Sequence, residues 1–381
     1  MNNFTFHNPT KVIFGNDTIR KIGREIAARG LHRVLLLAGG GSIKNNGVYE
    51  QVTTSLREAG VSWAEYWGVR PNPVLEDVNA AIRQAREEKV DGLLAVGGGS
   101  VIDSTKAVAA GFYLADTWSA FAEYEPLKNA LPLFTVLTIS ATGTEMNPNA
   151  VITNAANKQK WALVDPRLFP VTSIIDPAVQ RSLPWRQTVN GCVDAMSHIH
   201  EFFFLGTAAE DGITRLDESL LATLIAATDA LQKDEAAYAS RANLAWAATM
   251  ALNGVAGMAL KGGDWSTHGL EHSISAYHPK VAHAEGLAVI FPAWITFQQS
   301  ENPAQFTRWA QAVWDAATVE EAVAKMKAKH RQWGAPVTLG DLGVGEDEIP
   351  VLAANATQRG PLGQLRKIGE PEAKEIFRLA L

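Results

Sequence analysis

The sequence predicts an open α/β domain followed by a mainly helical domain. Over the first half of the chain, short apolar runs alternate with longer amphipathic stretches, which is typical of parallel strands joined by crossover helices. Beyond Asp176-Pro177 the β-branched runs become sparse, and Ala, Leu and Trp recur at helical spacing. The chain has 381 residues, which is more than one hydrophobic core usually serves, so two domains are expected.

The predicted strands are short runs rich in apolar residues. They cover residues 33–37, 63–66, 92–96, 133–139 and 171–175. Amphipathic helices are predicted over 49–59 and 75–88, and helical spacing continues through 186–204, 214–231 and 241–258. Because Leu183-Pro184-Trp185 begins a new helix, we place the domain boundary at residue 180, with the α/β domain over 1–180 and the helical domain over 181–381.

The composition argues against several classes of protein. The formal net charge is -6 and no basic run stands out, so nucleic acid is not an expected partner. Cys192 is the only cysteine, which rules out an intramolecular disulfide and fits a reducing compartment. We find neither a signal-peptide pattern nor a run of about 20 apolar residues, so no membrane association is expected and the predicted location is cytoplasmic.

Two glycine-rich loops follow predicted strands. The first reads Gly39-Gly40-Gly41-Ser42, and the second reads Gly97-Gly98-Gly99-Ser100, with Asp103 in the helical stretch that it opens. Strand, glycine turn and helix N-terminus together present free N–H groups to a phosphate. Glycine is also common in plain turns, but two such loops in one α/β domain favour dinucleotide binding at the carboxyl ends of the strands, although neither loop matches G-x-G-x-x-G.

The first loop also bears on the choice of cofactor. Enzymes that prefer NAD commonly place an acidic residue against the ribose 2′-hydroxyl, where it would repel a 2′-phosphate. Here Lys44 follows the glycines and no acid occurs before Glu50, which favours NADP(H). Hydroxyl groups at Thr138, Ser140 and Thr142 follow another strand; they line the cofactor or simply cap their own turn.

A cluster of histidines has the spacing of metal ligands. Asp194 and His198 are four residues apart and share one helix face, and Glu201 lies on the same face. His268 and His272 repeat that spacing, and His278 and His283 follow. One such pair is more often an ordinary polar pair. Two pairs and a further histidine favour a divalent cation, and a carboxylate with imidazoles suits Fe²⁺ or Zn²⁺ better than Mg²⁺ or Ca²⁺.

These motifs resemble a known family over essentially the whole chain. The chain resembles the iron-containing alcohol dehydrogenases, and within them the NADP-dependent butanol dehydrogenase and broad-range aldehyde reductase branch. The matching segments are Lys11-Val12-Ile13-Phe14-Gly15, the loop 39–44, Pro71-Asn72-Pro73, residues 97–103, Asn190-Gly191 with Asp194-Ala195 and His198, and the stretch that holds the later histidines.

The resemblance implies a dehydroquinate synthase-like fold, with a dinucleotide-binding α/β domain, an all-α domain and a metal between them. It implies that Asp194, His198, His268 and His283 bind the metal, and that His272 lies near the substrate. It also implies that Asn72 and Lys160 lie beside the cofactor and that Thr138, Ser140 and Thr142 lie on its nicotinamide side. Residues 276–282 form a stretch one residue longer than is usual in the family, so His278 is an alternative to His283; Ala284-Glu285-Gly286 favours His283.

The activity implied is hydride transfer between NADPH and a short-chain aldehyde, with the metal as a Lewis acid. His272 would relay the proton or only orient its neighbours. Two alternatives remain open: a glycerol-dehydrogenase-like or dehydroquinate-synthase-like enzyme that uses NAD on the same fold, and a non-catalytic dinucleotide sensor. The expected partners are an aldehyde or alcohol and a second copy of the chain, paired through an edge strand at 12–14.

Overall fold

A computed structural model describes residues 1–123 and 126–381. The chain forms two compact units. One comprises residues 7–183 and 234–249, and the other comprises residues 1–6, 184–233 and 250–381. The first contains every strand of the described residues and the second is helical, which confirms the predicted fold class. The domain boundary at residue 180 stays a prediction.

A six-stranded parallel sheet organises the first unit. Its strands are β1 (Lys11–Phe14), β2 (Arg33–Ala38), β3 (Ser62–Tyr66), β4 (Gly92–Gly97), β5 (Leu133–Leu137) and β8 (Thr172–Ile175), in the spatial order β1-β8-β5-β4-β2-β3. Five of them fall where the sequence predicts strands, and β1 is the edge strand expected near residues 12–14. The strand predicted over 133–139 ends two residues early, at Leu137.

The sheet is buried on both faces because its strands are apolar at consecutive positions. Leu35 and Leu37 belong to one hydrophobic cluster, whereas Val34 and Leu36 belong to another. Successive side chains of a strand point to opposite faces, so a continuous apolar run supplies two cores at once. This is why β2 reads as an unbroken hydrophobic run rather than as an alternation.

The order of the strands creates a topological switch point between β2 and β4. From β2 the chain continues to β3 on one side, and from β4 it continues to β5 on the other side. In open parallel sheets, ligands bind outside the carboxyl ends of the strands at such a point. The two glycine loops follow these two strands.

The helices of this unit flank the sheet. They are α1 (Ile22–Ala27), α2 (Ser42–Asn45), α3 (Val48–Glu58), α4 (Leu75–Glu87), α5 (Gly99–Gly111) and α6 (Ser119–Ala122). A hairpin of β6 (Asn149–Asn154) and β7 (Gln159–Val164) was not predicted. Each strand has six residues, but neither alternates strictly between polar and apolar side chains, so neither stands out from a loop.

The remaining helices lie mostly in the second unit. They are α7 (Trp185–Phe203), α8 (Asp211–Lys233), α9 (Tyr238–Ala251), α10 (Ser266–Tyr277), α11 (His283–Gln298), α12 (Pro303–Trp314), α13 (Val319–Trp333), α14 (Ile349–Ala356) and α15 (Glu370–Leu379). Most of α9 belongs to the sheet unit. The helix predicted over 241–258 extends beyond the observed one, because α9 ends at Ala251. Gly254, just after it, adopts a φ of 96°, which is outside the helical range. Among the described residues, none of the helices combines the length and apolarity needed to cross a membrane.

Candidate metal centre and dinucleotide site

Helix α7 carries the first two candidate ligands on one face. Asp194 and His198 are four residues apart within this 19-residue helix, and both side chains are buried. The spacing places them one turn apart, as the sequence predicts. His200 points away from them: its Nε2 accepts a hydrogen bond from Trp309 Nε1 at 3.0 Å.

Helices α10 and α11 bring two more histidines to Asp194. His268 lies in the first turn of α10, and His283 is the first residue of α11. One donor atom from each of Asp194, His268 and His283 lies within 4.8 Å of the others. His283 Nε2 is 3.7 Å from Asp194 Oδ1, and the His198 ring stacks on that of His268 with centroids 4.9 Å apart.

This cluster fits a divalent metal. One carboxylate and imidazole nitrogens are the donors that Fe²⁺ and Zn²⁺ accept in proteins, and ligands about 2.1 Å from one ion lie roughly 3.4 Å from each other. Nε2 of His268 is buried and makes no hydrogen bond within the described part of the chain. A buried polar atom without a partner is costly, and a metal–ligand bond would satisfy it.

The surroundings of the cluster favour neutral imidazole at His198. Burial lowers the pKa of His198 well below its usual value, and the neighbouring His268 and His283 lower it further. Neutral imidazole is the form that donates a lone pair to a metal. Nδ1 of His268 lies 2.6 Å from Glu201 Oε1, and Nδ1 of His283 contacts Glu271 Oε2.

His278 lies outside this cluster. Its Nε2 pairs with Glu348 Oε2 at 2.8 Å, whereas His283 lies against Asp194 and His268. Helix α10 ends at Tyr277, and the short break before α11 carries the chain back to the cluster at His283. The geometry therefore supports His283 over His278 as the fourth candidate ligand.

Three further side chains line the cluster. The His272 ring is 5.4 Å from that of His283 and 6.4 Å from that of His268, between centroids. Trp265 packs edge-on against His268 at 5.1 Å and against Phe202 at 5.4 Å. His272 and His283 are half-buried, whereas His198 and His268 are buried, which puts the more accessible side of the histidine cluster at His272 and His283.

The glycine loops and the hydroxyl loop adjoin one another at one edge of the sheet. Gly39 follows β2, Ser100 lies in the first turn of α5 after β4, and Thr138 follows β5, and these three strands are neighbours. Gly41 has a φ of 102°, and a Cβ at Gly40 or Gly41 would meet nothing within 4 Å. The loop of Gly39, Gly40, Gly41 and Ser42 is therefore open to an anion.

The second glycine loop is packed rather than open. A Cβ at Gly99 would lie 2.7 Å from Thr142 Cγ2, and a Cβ at Gly98 would lie 3.1 Å from Ile139 Cβ. Glycine is needed here so that the loop after β5 can lie against the start of α5. Two hydroxyls of that loop already take part in internal hydrogen bonds: Ser140 Oγ accepts from Gln180 at 2.8 Å, and Thr142 Oγ1 accepts from the backbone of Thr144 at 3.3 Å.

Asn72 and Lys160 lie together. Lys160, on β7, donates to Asn72 Oδ1 at 3.1 Å. Asp103, in α5, lies close enough to Lys160 for their charges to interact. Burial raises the pKa of Asp103 above its usual value, although the charges of Lys106 and Lys160 partly offset this effect. Both oxygens of Asp103 are engaged, by Thr144 Oγ1 at 2.6 Å and by the backbone N–H of Val151 at 3.0 Å, so Asp103 contributes to the loop structure whatever else it binds.

An acidic residue that the loop sequence does not contain lies beside the first glycine loop. Glu65, on β3, accepts hydrogen bonds from Tyr49 Oη, Trp63 Nε1 and Trp67 Nε1. Lys44 lies over the Trp67 ring, 4.0 Å from its centroid. Partial burial raises the pKa of Glu65, but these hydrogen bonds and the charge of Lys44 bring it below the usual value. Glu65 is distant in the sequence, so inspection of the loop alone did not reveal it.

Comparison with known proteins decides the family. The model of the iron-containing alcohol dehydrogenases matches residues 9–177, and the model of the C-terminal part of that family matches residues 188–381. The chain belongs to the iron-containing alcohol dehydrogenase family. It is an oxidoreductase of the alcohol dehydrogenase and aldehyde reductase type, and membership implies a nicotinamide dinucleotide and a divalent metal, typically iron.

Relatives across the full length of this iron-containing alcohol dehydrogenase differ in the cofactor that their names give. A probable NADH-dependent butanol dehydrogenase of Bacillus subtilis is 40% identical over 390 residues, and the NADPH-dependent aldehyde reductase YqhD of Escherichia coli is 36% identical over 392, each match covering 100% of both chains. The crystal structure of NADH-dependent butanol dehydrogenase A from Thermotoga maritima matches with a TM-score of 0.97 at 45% identity, covering 100% of this chain and 99% of that one.

The two candidate fourth ligands can be separated by mutation. His283→Ala should lose most of the bound metal because it removes an imidazole that lies against Asp194 and His268, whereas His278→Ala should retain the metal. Metal content per chain after dialysis, measured by mass spectrometry of the metal, gives the answer. A full metal complement in His283→Ala together with a loss in His278→Ala would reverse the assignment.

Proposed function

We propose that this iron-containing alcohol dehydrogenase reduces short-chain aldehydes with NADPH and binds one divalent metal through Asp194, His198, His268 and His283. The observation that carries the proposal is the meeting of Asp194, His268 and His283 from three different helices, with donor atoms within 4.8 Å. Three helices rarely deliver one carboxylate and two imidazoles to a buried point without a ligand, because each of these groups is costly to bury unpaired.

The residues of the cluster set what a bound metal can do. A divalent cation supplies Lewis-acid polarisation of a carbonyl group and stabilises the negative charge that develops on its oxygen. Asp194 offsets part of the cation's charge, and the imidazoles add none. Since His272 and His283 are the more exposed histidines, a substrate approaches from their side. Trp265 and Phe202, packed against each other beside His268, offer an apolar surface.

We assign the proton relay to His272. Its ring lies beside His283 without being needed to complete the ligand set, and it is only half-buried. A histidine titrates near neutral pH and exchanges protons with water or a substrate hydroxyl. The alternative role of His272 is to orient its neighbours. A His272 variant would distinguish the two roles, because the loss of a proton relay changes the pH dependence of kcat.

The dinucleotide is proposed to lie at the switch point of the sheet. The first glycine loop is accessible and would bind an anion. Gly97, Gly98, Gly99 and Ser100 lie where β4 ends and α5 begins, so the N-terminus of α5 lies at the same edge of the sheet. Asn72 and Lys160 supply a polar pair, and Thr138, Ser140 and Thr142 line the neighbouring loop. The dinucleotide supplies the hydride; the chain supplies its position.

The reaction is tested by a substrate panel on protein reconstituted separately with Fe²⁺ and Zn²⁺. Short-chain aldehydes with NADPH should turn over faster than polyols with NAD⁺, and Asp194→Ala and His268→Ala should lose metal and turnover together. Faster polyol oxidation would favour the glycerol-dehydrogenase-like alternative. Dinucleotide binding without any turnover would favour a sensor, and full activity without metal would refute the scheme.

The preference for NADPH is attributed to Lys44, the first charged group after the glycine loop. A charge-assisted contact contributes about 1.5–3 kcal/mol, so Lys44→Ala should raise KM for NADPH by about tenfold or more while KM for NADH changes little. Glu65 offers the matched opposite test: Glu65→Gln removes the nearby negative charge and should improve NADPH relative to NADH. Equal losses with both cofactors in Lys44→Ala would show that the 2′-phosphate is not read there.

A homodimer is proposed through the edge of the sheet. β1 is an edge strand, and Phe14 and Trp246 form an exposed aromatic pair beside it, with centroids 5.7 Å apart. An exposed apolar edge strand is a surface for pairing with a second chain. Light scattering should give the mass of two chains for the wild type and of one for Phe14→Glu. A monomeric wild type would disprove the pairing. The cytoplasmic location stays a prediction.

A further inference from the structure

Two buried carboxylates hold the outer nitrogens of two candidate ligands. Glu201, on α7, lies 2.6 Å from Nδ1 of His268, and Glu271, on α10, contacts Nδ1 of His283. The side chains of both glutamates are fully buried. A carboxylate oxygen accepts a hydrogen bond, so each pair favours the histidine tautomer that carries its proton on Nδ1. In that tautomer the metal-binding lone pair of each ring is on Nε2.

We propose that Glu201 and Glu271 are positioning residues that fix the tautomer and the ring orientation of His268 and His283 and strengthen their grip on the metal. This deepens the proposed function and rests on its metal site. Carboxylate–histidine pairs raise the basicity of the ligating nitrogen. With Asp194, they place three negative charges around one divalent cation, which favours retention of that cation.

Glu201 also binds the backbone at the start of α10. Its carboxylate also accepts hydrogen bonds from the backbone N–H of Trp265 at 2.6 Å, from that of His268 at 3.2 Å, and from the Thr267 hydroxyl. Trp265 has a φ of 62°, which a non-glycine residue adopts only when its surroundings hold it there. Glu201 therefore ties the backbone at the start of the helix to the histidine that the helix presents.

Glu271 occupies a space that a glycine keeps open. Gly286, on α11, faces the Glu271 side chain so closely that a Cβ there would lie 2.6 Å from Glu271 Cγ and 3.1 Å from Oε1. The close approach of α10 and α11 lets Glu271 reach the histidine at the start of the next helix. A larger residue at position 286 would displace the Glu271 carboxylate from His283, so the position of this carboxylate depends on the glycine.

His198 provides a contrast. Its Nδ1 is buried and makes no hydrogen bond within the described part of the chain. Carboxylate support is therefore not a general property of histidines in this cluster. Among the four candidate ligands, it is observed at His268 of α10 and at His283 of α11.

Glu271→Gln is the direct test, because glutamine keeps the size of the side chain and loses its charge. Zn²⁺ affinity, measured by competition with a chromophoric chelator, should fall by about 10- to 100-fold. The visible absorption bands of bound Co²⁺ should shift, since they report the ligand field rather than overall stability. The matched control is Glu348→Gln, which removes the same group from His278 outside the cluster and should change neither quantity.

Gly286→Ala approaches the same carboxylate from the opposite side and keeps the test informative if Glu271→Gln folds poorly. The added Cβ should displace Glu271 and weaken Zn²⁺ binding. In a Glu271→Ala background the displaced group is absent, so Gly286→Ala should cause little further loss. Additive losses in this double-mutant cycle would overturn the proposed link between the two residues.

The outcomes separate this inference from the proposed function. If the wild type binds one Zn²⁺ that Asp194→Ala loses, the metal site stands; unchanged affinity and Co²⁺ spectrum in Glu271→Gln then refute the positioning role alone. If the wild type binds no Zn²⁺, or Asp194→Ala binds it as tightly, the metal site itself fails.

Discussion

The helical unit buries three carboxylates in and around the histidine cluster. Asp194, Glu201 and Glu271 are all at most 2% exposed, and an isolated buried carboxylate is too costly for a stable fold. The groups that we find against them are imidazoles, a hydroxyl and backbone N–H groups. A divalent cation bound at the proposed site would offset the negative charge of this set. Helices α7, α10 and α11 meet where that charge is required.

The sheet unit also buries a charged side chain, in this case a lysine surrounded by oxygen atoms. Lys106 is fully buried in α5, and its Nζ lies within 3.1 Å of five oxygens of Thr144, Asn147 and Asn149. Burial lowers the pKa of Lys106 to about 7, although Asp103 and Glu145 raise it. The ammonium group gathers the segment after the hydroxyl loop and fixes it against α5. The sheet unit thus gathers backbone and side-chain oxygens around a buried lysine of its own, whereas the helical unit is proposed to gather side chains around a bound metal.

The predicted cofactor preference depends on residues of a neighbouring strand as well as on the sequence of the glycine loop. The loop sequence shows a lysine and no nearby acid, which favours NADP(H). In the fold, parallel pairing sets Glu65 of β3 opposite Leu36 of β2, and Glu65 reaches the same corner as Lys44. The names of the relatives divide between NADH and NADPH. Under the proposed function, the charges of Lys44 and Glu65 act in opposite directions on a 2′-phosphate bound at this corner.

The sequence by itself determined the fold class, because unbroken apolar runs and glycine turns specify buried parallel strands whatever lies around them. It also determined the pairing of Asp194 with His198, since residues four apart in a helix are always neighbours. Only the tertiary structure decided that His283 rather than His278 lies against Asp194 and His268. It likewise decided that Glu271 reaches the ring of His283, and that Asp103 is engaged by Thr144 and Val151. These contacts join separate elements, and helix packing sets them rather than any local spacing.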